Sequence, residues 1–131
     1  MKDNIITKGK RKRAIARATL SEGHGQIKIN GQALASFGNE LSRLRITEPL
    51  MLAEDIVKTI DLQVRVLGGG INGQTDAVRL AIARALVGFD KKLKKTFDDY
   101  DRLLLVADVR RKEVRKPNDS KARAKRQKSY R

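Results

Sequence analysis

Residues 110–131 of this 131-residue chain hold eleven Lys or Arg against two acids, Glu113 and Asp119, and few apolar side chains. A stretch with so little apolar surface to bury cannot offset the entropy lost on ordering. It orders against a polyanion or not at all, so the fold must be built from what precedes it. Residues 1–17 add seven basic groups against Asp3, a net +6, and residues 110–131 contribute +9. Residues 18–109 carry twelve cations and twelve acids and are neutral, so the whole net charge of +15 lies at the two ends. About 90 residues remain for one modest core. Charge clustered in this way points to a nucleic acid or another anionic surface as partner.

Other classes recede on composition. The chain has no cysteine, which removes disulfides, thiolate catalysis and cysteine-rich zinc sites and fits an intracellular protein. Its apolar runs are only a few residues long, too short to span a bilayer. Lys2 is not followed by an apolar segment, so no secretory signal is expected. The five aromatics, Phe37, Phe89, Phe97, Tyr100 and Tyr130, are too few for base stacking to be the main binding mode.

The pattern along the neutral middle alternates between strand and helix signals. Ile5-Ile6-Thr7 is β-prone and leads into a basic block at residues 8–13, five cations in six positions. Residues 14–20 and 26–29 alternate as strands on either side of a Glu22-Gly23-His24-Gly25 turn, which predicts a hairpin between them. Asn30-Gly31 is a strong turn signal that ends it. Residues 32–37 are expected to form a short helix stopped at Gly38. Thr47-Glu48-Pro49 reads as a helix start, with a Thr cap, an early acid and Pro where its missing N–H costs nothing. Leu52, Ile56 and Val57 give that helix its apolar face. Residues 61–67 alternate as a half-buried strand, broken by the glycines at 68–73.

The next helix has the clearest signature. Val78, Ala81, Ile82, Ala85, Leu86 and Phe89 recur at helical spacing as one core stripe, with Arg79 and Arg84 off it. Gly88 and Asp90 weaken its end, residues 91–100 form a second amphiphilic piece, and residues 103–107 read as a short buried strand. The order is roughly β-β-β-α-β-α-β, an α+β domain over residues 1–109 with helices on one side of a small sheet. Within it, residues 1–17 are a basic N-terminal segment with the first strand. Residues 110–131 form an extended basic tail. At ~3.3 Å per residue that tail reaches on the order of 60–70 Å, far enough to thread between RNA helices whose narrow major grooves exclude folded elements.

The glycine segment invites two enzymatic readings. Gly68-x-Gly70-x-x-Gly73 lies between a strand and a helix, as a dinucleotide fingerprint does. Gly68-x4-Gly73-Gln74-Thr75 is one residue from a P-loop, with residues 103–108 standing in for the apolar strand ending in a metal-binding Asp. Gln74 replaces the lysine that reaches the β/γ-phosphates, and the several parallel strands either fold needs are missing. What survives is the backbone logic: glycines before a helix N-terminus let N–H groups approach a phosphate, which can belong to RNA. A tight turn needing positive φ accounts for the same residues, and the two readings are compatible. His24 is the lone histidine, a solvated turn residue rather than a metal ligand. Asp98, Asp99 and Asp101 read as a solvated helix end near Lys91–Lys95. No nucleophile has a base nearby. No catalysis, cofactor or metal is expected, which leaves three hypotheses: a structural RNA-binding protein, a nucleic-acid-condensing protein and a small NTP-dependent enzyme.

Three collinear motifs resemble one family, the universal small-subunit ribosomal protein conventionally numbered nine. They are Gly9-Lys10-Arg11-Lys12-Arg13-Ala14-x-Ala16 with Gly25-x-Ile27-x-Ile29-Asn30-Gly31; Gly68-Gly69-Gly70-x-x-Gly73-Gln74-x3-Val78-Arg79-x-Ala81-Ile82-Ala83-Arg84-Ala85-Leu86; and Asp108-x-Arg110-Arg111-x-Glu113-x2-Lys116-Pro117 with the ending Gln127-Lys128-Ser129-Tyr130-Arg131. The ending resembles the archaeal and eukaryotic branch, and the short chain points to the archaeal one. Asn118-Asp119-Ser120 departs from the family, where a more glycine-rich, less acidic link is expected.

The resemblance implies a two-layer α/β sandwich of the ribosomal-protein-S-five second-domain type, with a left-handed βαβ crossover that general topology rules do not anticipate. It implies a cytoplasmic protein of the ribosome, in the head of the small subunit, against the 3′ major domain of a 16S-type rRNA and neighbouring ribosomal proteins, with no membrane. Carried across by position, rRNA contacts fall on Lys8, Lys10, Arg11, Lys12 and Arg13, on the turn residues Gly69, Gly70, Gly73 and Gln74, and on Arg79 and Arg84. In the tail they fall on Arg110, Arg111, Lys112, Arg115, Lys116, Lys121, Arg123, Lys125 and Arg126. Lys128, Ser129, Tyr130 and Arg131 become the groups nearest the anticodon-loop phosphates of peptidyl-site tRNA.

Overall fold

The computed structural model describes residues 3–125 and 127. Strands β1 (Ile5–Arg11) and β2 (Ala14–Glu22) form an antiparallel hairpin closed at Lys12-Arg13, with Lys12 left-handed at φ 53°. A second, small hairpin joins β3 (Ile27–Ile29) to β4 (Gln32–Ala33) through Asn30-Gly31, whose φ angles of 53° and 79° are those a two-residue hairpin turn requires. Strand β5 (Ile60–Leu67) lies between the hairpins, antiparallel to β2 and parallel to β3. The sheet order is therefore β1-β2-β5-β3-β4. Helices α1 (Glu40–Leu52) and α2 (Glu54–Val57) lie in the crossover from β3–β4 to β5. Helices α3 (Ile71–Phe89) and α4 (Leu93–Tyr100) and a 3₁₀ turn (Arg102–Leu104) follow.

The core shows why this arrangement holds. Ala14, Ala16, Ala18 and Leu20 of β2, and Ile60, Leu62, Val64 and Val66 of β5, are buried at every second position. They form one cluster with Val78, Ala81, Ile82, Ala85 and Leu86 of α3, Ile46 and Leu50 of α1, Phe97 and Leu104. All the helices thus cover one face of the sheet, an α+β architecture of two layers. The α3 seam is made of small residues: a methyl group on Gly9 of β1 would collide with the Ala77 carbonyl. Thr7 uses the same close approach, its hydroxyl donating to Ala81 O at 2.7 Å. Val78 and Ala81 through Leu86, apart from Arg84, are buried, so the apolar stripe read from the sequence is the one that packs.

Four local expectations are corrected. Residues 14–20 and 26–29 do not pair, because β5 separates them: Gly23 N–H and Gly25 N–H donate to Thr59 O and Ile60 O, and Asp61 Oδ1 accepts from the N–H groups of His24 and Gln26, each at 3.0 Å. Those two hydrogen bonds, Gln26 foremost, hold the Asp61 carboxyl below the usual carboxylate range. Residues 32–37 are the two-residue β4 and a 3₁₀ turn (Leu34–Ser36) rather than a helix. The helix expected to start at Thr47 starts at Glu40, capped by Asn39, whose Oδ1 accepts from Ser42 N–H at 2.9 Å. Thr47 is mid-helix, its hydroxyl donating to Arg43 O at 2.6 Å, and Pro49 is a buried interior residue. Residues 103–107 find no partner strand. Leu104 is buried by the 3₁₀ turn, while Leu103 and Val106 face out.

Candidate nucleic-acid interface

The tight turn of the first hairpin places Lys12 and Arg13 at its exposed tip. Behind them lies the glycine turn. Gly68 has φ +76°, and a Cβ there would stand 2.7 Å from Arg13 O. A glycine is therefore required both for its left-handed backbone and for the contact with the basic turn. Gln74 closes the same turn, donating from Nε2 to Gly68 O at 3.1 Å. Its side chain is bound inward, where a P-loop lysine would reach outward.

Helix α3 begins immediately after. Gly70 caps it with no side-chain hydrogen bond, and Gln74 N–H makes the bond to Gly70 O at 2.9 Å. The N–H groups of Ile71, Asn72 and Gly73 have no carbonyl a turn behind them within the helix, and they carry the positive end of a 19-residue dipole. They border an open cleft of about 1280 Å³ lined by Lys12, Arg13, residues 69–73 and residues 110–115. Backbone donors at a helix N-terminus and cations from two separate segments, the hairpin tip and residues 110–115, converge there. A helix N-terminus behind a glycine turn, flanked by cations, suits an anion. The acid lining it, Glu113, is turned to Arg123 Nε at 2.7 Å.

A charge network roots the tail beside this cleft. Arg110 binds Asp108 in bidentate fashion, Nε to Oδ1 at 3.0 Å and Nη2 to Oδ2 at 2.7 Å, and its N–H also donates to Oδ1 at 3.0 Å. Arg11 reaches over from β1, donating to Arg110 O at 3.1 Å and lying 3.5 Å from Asp108 Oδ2. The Arg110 hydrogen bonds, aided by the Arg11 charge, hold the Asp108 carboxyl well below the usual carboxylate range, and Asp108 in turn raises Arg110. Arg11 also lies 3.8 Å from Asp76, which Arg45 approaches to 2.9 Å.

Several cations expected at rRNA have partners within the fold. Arg11 is mostly covered and engaged by Asp76, Asp108 and the tail backbone. Arg79 is 6 % exposed and held by Glu48 at 2.5 Å and Asp101 at 3.2 Å. Arg84 ties two segments together, donating to Leu105 O at 3.1 Å and Lys8 O at 2.8 Å. Of the acids read as a solvated cluster, Asp101 is thus a partner of Arg79 and also caps Leu103 N–H. Lys8, Lys12, Arg13, Arg111, Lys112, Arg115, Lys116, Lys121, Arg123 and Lys125 are exposed, Lys10 and the turn residues less uniformly so. Arg126 and Lys128, Ser129, Tyr130 and Arg131 lie outside the described residues. Among the exposed cations that the expectations left out are Arg17 and Arg65. Strand alternation was the available signal, since it sets both on the face opposite the buried alanines and valines.

Among the described residues no cluster of His, Cys, Asp and Glu suits a metal ion, and no helix is long and apolar enough to cross a membrane. The model of a family described as ribosomal protein S9/S16 matches residues 9–131. The small ribosomal subunit protein uS9 of Thermoplasma volcanium is 52 % identical over 131 residues, covering 98 % of this chain and 99 % of its own. Its namesake in Thermoplasma acidophilum is 49 % identical, covering 97 % and 100 %. That of Pyrobaculum aerophilum is 45 % identical, covering 97 % and 91 %. All three are archaeal proteins, matched nearly end to end, as the motifs had suggested. The chain belongs to the ribosomal protein S9/S16 family, a family of ribosomal proteins and not of enzymes.

Proposed function

We propose that this protein is a structural constituent of the small ribosomal subunit, cytoplasmic within the ribosome. It binds 16S-type rRNA of the subunit head among neighbouring ribosomal proteins and extends its C-terminal tail to peptidyl-site tRNA. The sandwich is of the ribosomal-protein-S-five second-domain type, with residues 1–109 as the anchored body and 110–131 as the tail. The observation that carries this reading is the convergence at one cleft of the Lys12-Arg13 turn, the N-terminus of α3 and the cationic residues 110–115. Such contacts position a protein on RNA through its backbone and do not read sequence. The family membership of the chain and the printed names of its relatives support the same assignment.

Co-sedimentation with small subunits in high salt tests the body: an assembled component stays with the particle, and a condensing protein washes off. Deletion of residues 128–131 tests the tail. Folding and incorporation should persist while peptidyl-site tRNA binds more weakly; loss of incorporation instead would make the tail an assembly element first.

A further inference from the structure

The geometry points to the open face of the sheet as a second platform for an RNA backbone, distinct from the cleft at the N-terminus of α3. The inference rests on the RNA-binding reading above and deepens it. Strand register places Lys8 directly opposite Arg17, and Arg17 directly opposite Arg65. Their neighbours in sequence, Gly9, Ala16, Ala18, Val64 and Val66, face the helices, so this row of three cations faces away from them. All three are exposed, and none has an ion pair or side-chain hydrogen bond among the described residues. Like charges directly opposite on a sheet repel and destabilise it. At a strand spacing of ~4.8 Å the row is compressed into about 10 Å.

The surroundings do not relieve this repulsion. Lys10 and Lys28 lie on the same face in the flanking rows, opposite Ile15 and Gln63. The acid on that face of β5, Asp61, is taken up by the N–H groups of His24 and Gln26. The free protein thus holds a strip of uncompensated cations on a rigid sheet, and a row of phosphates is the chemistry that would stabilise it. The central pair are arginines, whose planar forks suit bidentate phosphate contact. Lys8 stands four residues along β1 from the hairpin tip, ~13 Å at strand rise, so cleft and platform hold separate stretches of backbone. The exposed Leu67 and Ile6 stand in the flanking rows, and the centre is cationic. RNA is therefore favoured over a protein partner.

The test compares the full chain with K8Q/R17Q/R65Q and with a charge-matched control, K91Q/K94Q/K95Q, on an RNA duplex of about 20 base pairs across a salt series. Wild type should show a steep loss of affinity with salt. The sheet variant should lose about 0.9 of slope per phosphate contact removed, roughly two to three in all, with the control unchanged. The variant's melting temperature should hold or rise, because repulsion is removed. Lys8 and Lys28 should be protected from acetylation in the complex, and Lys94 and Lys95 should not. A wild-type slope retained by the sheet variant, or matched losses in variant and control, overturns the platform while leaving the RNA-binding function standing. A wild type that ignores salt overturns both. A variant that binds RNA normally but is lost from isolated small subunits makes the face a protein contact and also overturns the inference.

Discussion

Single residues divide the cations of this chain into two populations that composition cannot separate. Arg79 is internal: it bridges Glu48 of α1 to Asp101 beyond α4, and removing it leaves two carboxylates facing each other without a counter-charge. Arg79→Ala should cost about 3 kcal/mol, near the low end for a broken buried pair because both acids are partly exposed. Urea unfolding measures this, and the salt dependence of RNA binding should stay as in wild type. Gly68→Ala should cost ~1–3 kcal/mol from the left-handed backbone alone, and more because the added methyl meets Arg13 O. The sequence marked Arg79 and Arg84 as off the apolar stripe but could not show that α3 is also covered on its flanks. Thr75, Leu80 and Ala83 are buried as well, and α3 packs against α1 and the turn after α4, which are distant in sequence.

At the scale of elements, α3 and the alternating strands were legible because a period of buried residues is a local property. The start of α1 was not, because Thr-Glu-Pro at 47–49 mimics an N-terminus and the operating cap, Asn39, follows a glycine in a polar stretch. Asn39→Ala should therefore destabilise by about 1 kcal/mol, and Thr47→Ala by clearly less, since its hydroxyl only back-bonds to Arg43 O. Strand pairing was misread for a different reason: alternation gives a face but no partner, and a crossover inserted β5 where a hairpin was expected. The tail root is also an element-level device. Its Asp108 carboxyl titrates below the ordinary value of ~3.9. The stabilisation is then complete above that ordinary value and is lost only as pH falls through the depressed one. Hydrogen exchange at residues 108–111 should be equally protected at about pH 5 and about pH 8. Asp108→Asn should raise exchange there at both, without changing the melting of the sheet.

For the molecule as a whole, the neutral middle became the two-layer core, and the basic hairpin and the root of the tail meet on one side of it. The β1–β2 hairpin does this by pressing its basic tip against the glycine turn, and Arg11 does it by fastening the tail root to β1. The charge partition was readable in the sequence; the meeting of its two ends was not, because it depends on contacts across about a hundred residues, as between Arg11 and Arg110. Gln74, hydrogen-bonded to Gly68 O, supplies no P-loop lysine, so ATP should raise the melting temperature no more than inorganic triphosphate does, and a nucleotide-specific rise would contradict that placement. The central claim is that a neutral body anchors cationic extensions on rRNA. Its most direct test is the salt dependence of binding to small-subunit rRNA for the full chain and for a chain ending at Asp108. A steep slope for the full chain, made shallower by ~0.7–0.9 for each phosphate contact removed with the tail, is the predicted result. A flat slope, or one that the truncation leaves unchanged, would contradict it.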